Sequence, residues 1–65
     1  MTAYQYWSHK RSGETWAVQI IDGQVVGACG PLYHSDRPRD MRDFEYDRDE
    51  GEKINKHAGD YRLSS

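Results

Sequence analysis

The stretch from Tyr4 to Cys29, YQYWSHKRSGETWAVQIIDGQVVGAC, decides the fold. It holds two turn signals separated by one strand's length. Asp22-Gly23 is a two-residue type I′ signal, because both central positions of that turn need a positive φ. Lys10-Arg11-Ser12-Gly13 reads as a four-residue loop built on a type I turn, with Gly13 in the left-handed position. The runs on either side are rich in Tyr, Trp, Thr, Val and Ile, which suit a pleated, half-buried surface. They predict three antiparallel strands near 3–9, 15–21 and 24–29, the second central. Gly30-Pro31 is expected to stop the third.

The turns set the register. Ile21 faces Gln24, so Ile20 faces Val25, Val18 faces Gly27 and Trp16 faces Cys29. The four-residue loop sets His9 opposite Glu14 and Trp7 opposite Trp16. Partners across a ladder share a face. One face is then Gln5, Trp7, His9, Trp16, Val18, Ile20, Val25, Gly27 and Cys29. The second is Tyr4, Tyr6, Ser8, Ala17, Gln19, Ile21, Val26 and Ala28. A three-residue loop would slip the first strand by one and expel Trp7. The chosen register places tryptophan bulk beside the space over Gly27, and an aromatic ring over a strand glycine stabilises a sheet.

The second half of the chain carries most of the charges. Residues 35–46 read as a charged linker in which Ser35-Asp36-Arg37-Pro38 is a cap or turn. Met41, Phe44 and Tyr46 are its apolar points, expected to anchor a loop or short turn on the sheet. Residues 47–58 read as a helix. Asp47, Asp49, Glu50 and Glu52 crowd its start, and Lys53, Lys56 and His57 its end, which suits the helix dipole. Ile54 and Ala58 form a narrow apolar stripe, and Gly59 is a natural stop. Gly51 is a weak point, costing roughly 1 kcal/mol relative to Ala. Tyr61 and Leu63 alternate with polar residues, as a short last strand or a docking tail does. The fold class is α+β: a three-stranded antiparallel meander, one C-terminal helix and a candidate fourth strand. The 65 residues are read as a single small domain, with the meander at 1–34, the linker at 35–46 and the helix and tail at 47–65.

Size and composition bound the function. A chain this short buries only about 60% of its unfolded surface, and such scaffolds usually need a staple. A single cysteine excludes an internal disulfide, so a protein partner or self-association rises in expectation. The net charge of −2, with both signs interleaved, gives no electrostatic reason to expect nucleic acid or an anionic membrane. No apolar run approaches a membrane span, and no signal-peptide pattern opens the chain. The expectation is a soluble, cytoplasmic protein.

The chemical motifs are sparse. Cys29, His9 and His34 are the candidate Cys/His pair or metal ligands, but three ligands at no recognised spacing make a poor zinc set. Cys29 reads as a buried structural thiol. The acidic run from Asp43 to Glu50 superficially resembles a calcium loop. With Asp43 as its first position, Arg48 stands where the glycine belongs and Ile54 where the bidentate glutamate belongs. Arg37, Arg39 and Arg42 interleave with Asp36, Asp40 and Asp43, which makes a charge-balanced loop rather than a phosphate clamp. Nucleotide-binding and nucleophile-elbow motifs are absent. No cofactor and no metal are expected.

The aromatic residues say more. Trp7 and Trp16 belong in the core. Tyr4 and Tyr6 sit on the second face with Gln19, and one short helix cannot cover both faces. Either the C-terminal segment wraps the second face or that face meets another protein. The leading reading is a non-catalytic protein-binding module, accessory subunit or inhibitor that uses Tyr4, Tyr6 and Gln19. Its partner would be another protein or a second copy of the chain. Two alternatives come from other classes. One is single-stranded nucleic-acid binding with Tyr4 and Tyr6 as stacking platforms. The other is a small Cys/His enzyme or metal protein.

Overall fold

The computed structural model describes residues 1–33 and 40–64. The turn at residues 35–38, Arg39 and His34 lie outside the described residues. The architecture is α+β, with a four-stranded antiparallel sheet in the order β3-β2-β1-β4 and one helix between the third and fourth strands. The strands are β1 (Thr2–His9), β2 (Thr15–Ile21), β3 (Gln24–Leu32) and β4 (Tyr61–Ser64); helix α1 spans Arg48–Lys56.

Both turns form as their residues dictate. Asp22 has φ 53° and Gly23 φ 80°, the pair of positive values that a type I′ turn needs. In the first loop Gly13 has φ 75°, and its N–H donates to the His9 carbonyl at 2.9 Å. The His9 ring also caps this loop, since its Nδ1 accepts the amides of Arg11 at 3.1 Å and Ser12 at 3.3 Å. Trp7 pairs with Trp16 and Tyr6 with Ala17, the register that a four-residue loop predicts.

The third strand departs from expectation. Ile20 faces Val25, but Gln19 faces Gly27, so Val26 is an extra residue in β3. Because side chains alternate with a period of two, one extra residue inverts every face beyond it. Val18 therefore pairs with Ala28, not Gly27, and Cys29 pairs with Ala17, not Trp16. Gly27 and Cys29 move to the second face, and Ala28 joins the first. A second shift lies between Ala17 and Thr15, so that Thr15 pairs with Leu32. The strand thus runs through the cis Gly30-Pro31 peptide instead of stopping there. The predicted aromatic-over-glycine contact exists on a different glycine. A Cβ on Gly30 would come within 2.8 Å of two Trp16 ring atoms.

The tail is a strand, not a docking tail. Residues Tyr61 to Ser64 pair with Tyr6 to His9 of β1. The first strand is therefore covered along its second half rather than forming a sheet edge. The edge formed by β3 is blunted from outside. Ala28 and Asp47 exchange both backbone hydrogen bonds, at 3.0 and 2.8 Å. Asn55 Oδ1 accepts the Val25 N–H at 2.9 Å. Both devices occupy backbone groups that would otherwise template another strand.

Helix α1 starts one residue later and stops two earlier than its charge pattern suggests. Asp47 is the N-cap and accepts the Asp49 N–H at 2.9 Å. After Lys56 the chain tightens into a 3₁₀ turn, Ala58–Asp60. Gly59 is part of that turn and needs no left-handed conformation; its carbonyl accepts from Lys10 Nζ at 2.8 Å. Ala58 is exposed, so the apolar stripe reduces to Ile54. Ile54 is 1% exposed and packs with Val18, Val25 and Ala28, with Trp7, Trp16, Ile20 and Tyr61 around them. This cluster is the core, and it lies on the first face.

Candidate functional site

The second face carries a strip of aromatic side chains. Tyr4 and Tyr6 alternate on β1, so both point to that face. The segment after the 3₁₀ turn Met41–Asp43 crosses over them. Phe44 and Tyr46 alternate in the same way, and the Tyr46–Tyr4 ring centroids are 5.5 Å apart. Phe44 stands edge-on to Tyr6 at 6.3 Å and to Tyr46 at 6.1 Å. The rings thus form one chain: Tyr4, Tyr46, Phe44, Tyr6. All four side chains are half-buried. The C-terminal half wraps the face and leaves an aromatic surface on it. Beneath that layer Ala17 is fully buried.

Of the residues read as partner-binding, Tyr4 and Tyr6 belong to this strip. Gln19 is half-buried beside it; a Cβ on Gly27 would meet the Gln19 Oε1 at 3.0 Å and the Tyr46 Cβ at 2.9 Å. Two strip residues, Phe44 and Tyr46, were readable only as anchors. The signal for more was their alternation around Glu45, which places both rings on one side of an extended segment.

The electrostatics of the strip are local. Tyr46 donates its phenol to the Met41 carbonyl at 2.7 Å. Burial raises its pKa to about 12, with Tyr4 and Tyr6 adding to the effect. Arg42 forks onto Asp40, with Nη2 at 2.7 Å and Nε at 3.0 Å from Oδ2. That contact holds the Asp40 carboxyl below its ordinary range and the guanidinium above its own. On the opposite face burial raises the Tyr61 phenol, and Glu50, Asp60 and Glu14 push the same way.

The Cys/His constellation does not assemble from the described residues. The inverted face places Cys29 on the second face, half-buried rather than buried, while His9 stands edge-on to Tyr61 on the first, 5.0 Å between centroids. Of the acidic run, Asp47 is spent on capping α1 and Glu45 points to solvent. Among the described residues no group of three or more His, Cys, Asp or Glu is disposed to hold a metal ion. No helix among them is long and apolar enough to cross a membrane. No family model, no curated relative and no solved structure matches this chain.

Proposed function

We propose that this chain is a non-catalytic binding module that engages a protein partner, or a second copy of itself, through its aromatic sheet face. The observation that carries the reading is the strip itself: four aromatic rings in mutual contact, each with part of its surface in water. Half-buried tyrosines suit such a role. They offer large contact area, few rotamers to freeze and a polar tip. Phe44 and Tyr46 brace the β1 tyrosines, which lowers the ordering cost on association. The first face supports the assignment by contrast, since its centre is closed under α1 by Ile54.

The separation of Cys29 and His9 onto opposite faces weighs against chemistry by that pair. Stacking of single-stranded nucleic acid on Tyr4 and Tyr6 is the weaker reading. It needs cations at the rim to meet phosphates, and Arg42, which precedes the segment that crosses the strip, is held by Asp40.

The test pairs association with stability. Tyr6→Ala and Tyr4→Ala are compared with the unaltered chain by sedimentation for self-association and by photo-crosslinking from position 19 for a partner. Each variant is expected to weaken association by roughly 1–2 kcal/mol while staying folded. Loss of folding with unchanged affinity per folded molecule would make the strip a second core layer and end the proposal.

A further inference from the structure

A cleft of about 450 Å³ lies between α1 and the outer edge of β3, away from the aromatic strip. That volume suits a small molecule. Val26, half-buried at the bulge, supplies its apolar side, while the Val25 side chain beside it is turned into the core. Arg48, Glu52, Asn55 and Lys56 supply the other. They recur one and two turns apart, so they share one flank of the helix, beside the buried face of Gly51 and Ile54.

Donors outnumber acceptors there. The Asn55 Oδ1 is committed to the Val25 N–H at 2.9 Å, which fixes the carboxamide and leaves its Nδ2 as the group on offer. Arg48 Nε stands 3.6 Å from Glu52 Oε1, a loose and exposed pair. Lys56 makes no ion pair among the described residues. Two cations against one carboxylate leave an excess of positive charge beside Val26.

We propose that this cleft binds a small aliphatic monocarboxylate, with its alkyl part on Val26 and its carboxylate on the Lys56 ammonium and the Asn55 amide. The end of α1 opposes an anion with only about half a charge, and the whole charge of Lys56 outweighs it. A dianion such as phosphate would exceed the local positive excess and face Glu52 as well. The site is independent of the aromatic strip.

The test is a titration of the isotope-labelled protein with isovalerate, followed by amide shifts. Saturable shifts are expected at Val25, Val26 and the Asn55 side chain, with a dissociation constant of about millimolar order. Isovaleramide and inorganic phosphate should bind at least about fivefold more weakly. Lys56→Gln removes a charge-assisted hydrogen bond and should weaken isovalerate about five- to tenfold. Glu52→Gln removes the competing carboxylate and should tighten it about twofold. Both side chains are exposed, so neither change threatens the fold. Shifts that fail to saturate by about 100 mM, equal binding of the neutral amide or of phosphate, or indifference to both substitutions would each overturn the site.

Discussion

Gly51 of α1 rests directly on the backbone of Gly27 in β3. A Cβ built on Gly51 would overlap the Gly27 nitrogen and Cα and the Val26 carbonyl carbon. Gly27 also meets Tyr46 from the other side. The two glycines therefore set the spacing of three layers: helix, sheet and aromatic strip. The residue that reads as a defect in the helix is the one that lets the helix dock.

Replacing Gly51 with Ala tests that contact against helix propensity. Propensity alone predicts a gain of about 1 kcal/mol. Overlap with a backbone that cannot swing aside predicts a net loss of roughly 1–3 kcal/mol. Urea unfolding decides the sign, and a stabilised variant would mean that α1 does not approach β3 this closely.

Ile54→Ala should cost roughly 2–4 kcal/mol, because the side chain is fully buried and its removal leaves a cavity. Ala58→Ser is the matched control; at an exposed position it should stay within about 0.5 kcal/mol. Comparable losses in both variants would restore the two-residue stripe.

Asn55→Ala strips the acceptor from the Val25 N–H at the edge of the sheet. Leaving a part-buried amide unpaired should cost about 1–2 kcal/mol. Hydrogen exchange at Val25 should accelerate beyond what the global loss explains. An unchanged Val25 rate would show that water replaces the side chain at no cost.

Burial of the Tyr46 phenol ties stability to pH on the alkaline side. Its folded pKa, about 12, lies above the ordinary value of 10.0. The folded state thus holds the phenol proton more tightly. The stabilisation is fully present below pH 10 and is lost as pH rises through about 12. Tyr46→Phe should flatten that decline in stability and remove the last-titrating phenol from the phenolate absorbance curve. A curve identical to the parent's would place the high pKa on another tyrosine.

Local chemistry alone determined much of this molecule. Asp22-Gly23 and the loop ending in Gly13 demand positive φ values that only certain residues tolerate, so both hairpins and the pairing of Trp7 with Trp16 were legible. The charge gradient along residues 47–58 marked the helix, and the alternation of Tyr4 with Tyr6 marked the second face. What tertiary packing decided was where the period of two breaks. The bulge at Val26 is not written in the alternation of Gln24 to Cys29, because a run that is apolar on both faces supports either phase. The docking of Gly51 on the Val26–Gly27 backbone accompanies that break, and it carries Cys29 away from His9. The same holds for the strip. Tyr4 and Tyr6 announce a surface, but Phe44 and Tyr46 cover it from residues far along the chain, and no local pattern encodes that contact.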